Sequence, residues 1–264
     1  MRGTGSKSHG GPRVDVNSDV GEGFGAWAMG DDAAVLSYVS SANVACGFHA
    51  GDPSIMRRTV GLCAERGVAV GAHVSYPDML GFGRRNMSCS SEDVYDYCLY
   101  QIGALAAFCR ARGVSLQHVK AHGALYNQAA RDEGLARAVA SAARDCGAEA
   151  LLGLAGSAFE AAAEWAGVAF ASEAFTDRAY LMDGSLMPRS MEGAVIHDAA
   201  IAAQRAVSMV TEGCVRAADG GIVTLRPDSI CLHGDTREAV GMAEAVRRAL
   251  DEAGIHVVPM GRRF

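Results

Sequence analysis

The chain has 264 residues, half of them hydrophobic, and a formal net charge of -6. That length suits one large α/β domain with a sizeable core. The acidic balance argues against a nucleic-acid surface, and no apolar run reaches the roughly 18 residues that a membrane span needs.

Residues 1–12 are rich in Gly and Ser, and no hydrophobic stretch follows them. They read as a disordered leader rather than a signal peptide, with residues 13–264 as a single domain. The eight cysteines contain no C-x-x-C pair, and several fall in expected helices or strands. They read as the reduced thiols of a cytoplasmic protein.

Short apolar runs alternate with helical stretches, the pattern of a largely parallel sheet. RVDVNSDV has period two and is the first expected strand; SANVACG is the second. Asp52 and Pro53 then supply an N-cap and a first helical residue for a helix that stops at Gly67. VAVGAH is the third strand. Ser90 to Asp93 resembles a capping box, opening a long helix that ends near Gly113. LQHVKAH is the fourth strand, with helical residues through about Cys146. EALLGLAG is the fifth strand, followed by a helix carrying Phe159 and Trp165, and VAFASE is the sixth. Residues 174–195 read as a long loop with small strands, and 198–213 as a helix. DSICLHGD is the seventh strand, Thr236 to Ala253 the last helix, and HVVPM an added edge strand. Seven β/α units predict a TIM-like barrel of incomplete form.

Polar residues gather at the ends of these strands, where such a barrel builds its site. Asp15, Asn17 and Asp19 recur every second residue and share one strand face, with Glu22 just beyond. A row of inward carboxylates is costly unless paired or bound to metal. Asn43, His49 and Asp52 come next, Asp52 reading as a helix cap. His73 ends the third strand, and the following loop brings Arg84 and Arg85, suited to a carboxylate or phosphate. Lys120 and His122 alternate on the fourth strand, with Tyr126 and Asn127 beyond. Lys120 reads as an electrostatic clamp or general acid; His118, deeper, reads as core. Glu173, Asp177, Arg178 and Tyr180 follow the sixth strand, Arg189 lies in the next loop, and His233 and Asp235 close the set. Neither GSKS nor GEGFG satisfies a nucleotide-binding loop.

The segments DVNSDVGEGFG, SANVACGFHAGDP, GAHVSYPDMLGFGRR, HVKAHGALYN, EAFTDRAY and CLHGD, in this order over about residues 13–255, resemble the LamB/YcsF family. Two departures stand out: Val74 and Ala121 occupy positions where the family usually has proline. The resemblance implies a distorted seven-stranded β/α barrel similar to polysaccharide deacetylases. It also implies 5-oxoprolinase chemistry: 5-oxo-L-proline, ATP and water give L-glutamate, ADP and phosphate, with the chain acting beside B and C subunits. In that setting Asp19, His49, Lys120 and His122 are the expected catalytic groups. Asp15, Asn17, Glu22, Asn43, His73, Arg84, Arg85, Tyr126, Glu173, Arg178 and His233 are the expected substrate contacts. Asp19, His49 and His73 offer a ligand set for a divalent zinc or manganese. Two rival functions stand beside this one: a metal-dependent amidohydrolase or carbohydrate deacetylase working without ATP, and a non-catalytic binding subunit. The sequence also leaves room for a homo-oligomer.

Overall fold

A computed structural model describes residues 11–233 and 238–260. Most of the expected leader, and Asp235, lie outside the described residues. In chain order the elements are β1 (Arg13–Val20), α1 (Asp32–Val35), β2 (Ser41–Ala45), α2 (Pro53–Arg66), β3 (Ala69–Val74), α3 (Ser91–Arg112), β4 (Leu116–Ala121), α4 (Gly123–Ala129) and α5 (Glu133–Asp145). They continue with β5 (Ala150–Leu154), α6 (Ala158–Ala166), β6 (Ala169–Phe175), α7 (Ala199–Thr211), β7 (Cys214–Arg216), β8 (Ile222–Thr224), β9 (Ser229–Leu232), α8 (Ala239–Glu252) and β10 (His256–Val257).

Seven parallel strands run β1-β2-β3-β4-β5-β6-β9, and β9 pairs back with β1 to close the barrel. The expected edge strand is β10, which pairs in parallel with the start of β1. Closure leaves neither β1 nor β9 with an open edge.

Local signals set the helix ends. Asp52 accepts hydrogen bonds from the backbone N–H of Ser54 and Ile55 at the start of α2, and left-handed Gly67 ends it. Ser90 and Asp93 form the capping box of α3, which stops at Gly113. The helical run expected through Cys146 is two helices. Asp132 caps the second by accepting from Leu135 N–H, a competing start signal inside the apolar pattern. The sequence reading passed over short α1 and the antiparallel β7–β8 hairpin. Among the described residues no helix is long and apolar enough to cross a membrane. All eight cysteines carry free thiols.

The strand faces divide the core. Val14, Val16, Ala42, Val44, Val70, Ala72, Val119, Leu151, Ala174 and Ile230 belong to the main apolar core. A small separate apolar cluster holds Leu152, Ala171 and Met260. The residues alternating with the outward valines are polar and fully buried: Asp15, Asn17, Ser41, Asn43, His118, Glu173 and Ser229. The apolar core therefore lies between the strands and the helices, while the inner faces carry polar side chains. This departs from the branched apolar layers that usually fill such barrels. The family-departing pair, Val74 and Ala121, are partners in one rung of the β3–β4 ladder, both buried.

Candidate active site at the C-terminal rim of the barrel

The polar interior is built in levels. At the deepest, three serine hydroxyls from Ser40, Ser41 and Ser229 donate to the Asp15 carboxylate, Ser40 at 2.7 Å and Ser41 at 2.6 Å. Burial still pushes Asp15 up to about 6, against the pull of those hydrogen bonds. Asp15 is enclosed, so the structure gives it a scaffold position beneath the site rather than a contact with ligand.

One level up, Asn43 Nδ2 donates to Asn17 Oδ1 at 2.7 Å and to Asp19 Oδ1 at 2.8 Å. Asn17 Nδ2 in turn donates to Glu173 Oε1 and Ser229 Oγ. His118 Nε2 sits 2.7 Å from Asn43 Oδ1 and fixes which way that amide faces. Burial and the neighbouring Lys120 push His118 down to about 3, so it is a neutral donor. Its ring occupies the space that a Cβ at Gly71 would need, which explains the glycine in β3. His118 is core, as the sequence suggested, with a positioning task.

Lys120 is enclosed by acceptors. Its Nζ lies 2.8 Å from Glu173 Oε1, 3.1 Å from Asp19 Oδ1, 3.1 Å from Cys231 Sγ and 3.3 Å from Asn17 Oδ1. Burial alone would lower its pKa, but Asp19, Cys231 and Glu173 carry it well above the ordinary lysine value. Lys120 is therefore a fixed positive charge, not a proton donor near neutral pH. Tyr126 donates its hydroxyl to Glu173 Oε2 at 2.8 Å.

Beside this cage the histidines converge. His73 Nδ1 is 3.2 Å from the Lys120 carbonyl, and His122 Nε2 is 2.9 Å from the Phe82 carbonyl. A carbonyl can only accept, so those nitrogens carry the protons. The opposite nitrogens, His73 Nε2 and His122 Nδ1, then present lone pairs to each other at 3.0 Å. Asp19 Oδ2 lies 3.2 Å from His73 Nε2, and Glu22 Oε1 lies 3.2 Å from His49 Nε2 and 3.5 Å from His122 Nδ1. Acceptors this close call for a positive charge among them, which a metal cation would supply. Ligand atoms of Glu22, His49, His73 and His122 all fall within 4.8 Å of one another, a donor set that could hold a divalent ion. Backbone carbonyls orienting the far nitrogens of ligating histidines are the usual outer support of such a site. His49 Nδ1 is buried without a hydrogen-bond partner among the described residues, a further sign of incomplete satisfaction. Burial, and after it repulsion from neighbouring groups including His73, holds His49 and His122 well below the ordinary histidine value, in the neutral form that binds metal.

A loop pins this cluster. Phe82 has φ 53, a left-handed conformation that a side chain rarely adopts, and this turns its carbonyl toward His122. A Cβ on the next residue, Gly83, would meet His122 Cδ2 and His49 Cβ at 2.9 Å. Arg85 is drawn back into this loop, donating to the Asp78 carboxylate through Nε at 2.8 Å and through Nη2. Arg84 lies over the Phe82 ring.

A cavity of about 1010 Å³ opens above the centre. Asp19, His73, Lys120, His122, Tyr126 and His233 line its floor and walls, with Arg84, Arg131, Arg178 and Arg189 among its lining groups. Arg178 is buried, held by the carbonyls of Met187 and Ala194, and lowered to about 10 by burial and by nearby Arg189. No carboxylate is hydrogen-bonded to its guanidinium among the described residues, so the cavity favours an anionic ligand. Sequence reasoning placed Asn17, Asp19, Glu22, Asn43, His49, His73, Lys120, His122, Tyr126 and Glu173 in one centre, and the structure brings them together. It missed Cys231 and the serine cage of Asp15, because small uncharged residues carry no sequence signal of function.

A closed parallel β/α barrel with carboxylates and imidazoles at its C-terminal rim has the architecture of an enzyme. Within that class the chain belongs to the LamB/YcsF family, whose model matches residues 14–263. It is 53% identical over 250 residues to the 5-oxoprolinase A subunit of Thermococcus onnurineus, covering 94% of this chain and 98% of that protein. The crystal structure of a lactam utilization protein from Thermus thermophilus, 50% identical, superposes with a TM-score of 0.88 over 93% of this chain and 99% of the other. A family 4 carbohydrate esterase from Streptomyces lividans, 10% identical, reaches a TM-score of 0.46, over 93% of this chain and 91% of that one.

Proposed function

We propose that this chain is the A subunit of a 5-oxoprolinase, a cyclic amide hydrolase that opens 5-oxo-L-proline to L-glutamate at the expense of ATP, with B and C subunits as partners. The observation that carries the reading is the cavity itself: an acceptor-rich carboxylate–histidine floor beneath a cationic wall. A five-membered lactam with one carboxylate matches both halves. Arg178 and its neighbours would bind the carboxylate, and the floor would receive the reacting carbonyl. A cytoplasmic setting supplies the ATP and keeps eight thiols reduced.

Glu22, His49, His73 and His122 would hold a divalent metal. Bound there, such an ion supplies a polarised oxygen or an acidified water. The chain's own groups prepare the rest. Lys120 pairs with both Asp19 and Glu173 in a buried position, and Asn43 aims the remaining Asp19 oxygen, Oδ2, beside His73. Burial opposes ionisation of Asp19, but His73 and Lys120 hold it well below the usual carboxylate range. Asp19 Oδ2 is thus placed to orient the attacking water.

The test is glutamate release from 5-oxo-L-proline by the chain alone and with its partner subunits, each with and without ATP. Release that needs both ATP and partners is expected. Release by the isolated chain without ATP would instead establish a metal-dependent amidohydrolase.

A further inference from the structure

Opening a lactam needs two proton movements: one away from the attacking water, and one onto the ring nitrogen as it leaves. The floor described above is rich in acceptors, but its protons are already committed. The Tyr126 hydroxyl goes to Glu173, the Lys120 protons face four acceptors, and His122 Nε2–H goes to the Phe82 carbonyl.

One further titratable pair meets the same cavity. In the β6–β9 ladder Phe175 faces Cys231. Asp177 and His233 each lie two residues beyond those partners, so parallel register brings them side by side. His233 Nδ1 lies 2.6 Å from Asp177 Oδ2. Asp177 is buried, and its Oδ1 has no hydrogen-bond partner among the described residues. Burial raises the Asp177 carboxyl, but His233 and the arginines Arg189 and Arg178 bring it below the ordinary value. An ionised carboxylate only accepts, so Nδ1 carries the proton of that bond and Nε2 is left for a ligand. The Phe175 ring, 5.7 Å away and tilted by 21°, fixes the imidazole plane. His233 lines the cavity, with a ligating atom within 4.8 Å of those of Asp19 and Cys231.

We propose that His233 delivers the proton to the leaving ring nitrogen, and that Asp177 is its positioning residue. The inference rests on the lactam-opening function above. ATP first places its terminal phosphoryl group on the ring carbonyl oxygen and leaves as ADP. Water adds through oxygen to the ring carbonyl carbon, and one of its protons passes to the acceptor floor. As the C–N bond breaks, its electron pair takes a proton from Nε2 of the doubly protonated His233 ring. The remaining water proton ends on the amine, a second water cleaves the acyl phosphate to carboxylate and phosphate, and the proton held by the floor restores His233 through solvent. Asp177 stabilises the imidazolium and holds Nε2 on target.

The experiment measures kcat and KM for ATP-dependent glutamate release by the assembled holoenzyme carrying His233→Gln, Asp177→Asn or Asp177→Glu. Losing a general acid costs about 10²-fold or more. The expected result is that loss in kcat for H233Q and D177N, with little change in KM and substantial recovery in D177E. Full kcat in H233Q or D177N, a loss confined to KM, or D177E no better than D177N would each overturn the proposal. A wild-type holoenzyme that releases no glutamate would instead remove the function on which the proposal rests. A working wild type with fully active variants removes the proposal alone.

Discussion

Two neighbouring groups of buried polar residues solve the same electrostatic problem differently. Around Lys120, two carboxylates, an amide oxygen and a thiol share one ammonium supplied by the chain. Around His73, two carboxylates converge with the lone pairs of two imidazoles, and the His49 ring stacks beside His122. Asp19 belongs to both, one oxygen on Lys120 and the other on His73. A centre closed by its own counter-ion is scaffold; one that leaves its positive charge to be supplied is built to bind. Buried acceptors without a cation would otherwise cost several kcal/mol each.

The comparison breaks most severely at the lysine. Lys120→Met leaves Asp19 and Glu173 buried without their ammonium, and the expected loss is about 3–5 kcal/mol of unfolding free energy, read by denaturant titration. A variant as stable as wild type would mean that those carboxylates take up protons at little cost. At the histidines the expected loss is in function instead. His73→Ala and His122→Ala should each lower activity by about 10³-fold, as for other groups essential to the chemistry, and abolish stoichiometric metal in elemental analysis. Chelation should lower the melting temperature of the wild type and leave that of these variants unchanged, since a ligand stabilises only a protein that binds it. Full activity in metal-free wild type would show that this centre works without a metal.

The smallest effect lies below the two centres. His118 is pushed down to about 3 in the fold, so the unfolded chain takes up its proton first as pH falls. Its stability contribution is complete above the unfolded value near 6.5 and is lost as pH falls toward about 3. Between pH 6.5 and 5 that loss is about 2 kcal/mol. Denaturant midpoints across this range should slope less steeply in His118→Gln than in wild type; equal slopes would assign the acid sensitivity to the other histidines.

Much of the barrel was legible because its signals are local. Period-two valines in β1, Asp52–Pro53 before α2 and Ser90 with Asp93 before α3 act within a few residues of themselves. The strand-end histidines were legible for the same reason. What stayed hidden were the assignments that depend on cross-strand partners. Arg85 and Arg84 look alike in sequence, yet Asp78 claims Arg85 while Arg84 lies over Phe82. Asp15 and Asp19 share a strand face, but only Asp15 meets three serines. The ligand set expected as Asp19, His49 and His73 exchanges Asp19 for Glu22 and His122 when the loop after β1 and the start of α4 fold against β3. The dyad of Asp177 and His233 depends on the register of β6 against β9.

The sequence by itself determined the alternation of strands and helices, the family, and which residue types reach the barrel rim, since period, caps and motifs are written along the chain. Tertiary structure alone decided which buried charges neutralise one another and which remain open to a ligand. That outcome follows from distances of about 3 Å between side chains as far as 111 and 212 residues apart, and charge pairing in a low-dielectric interior is decided at that range.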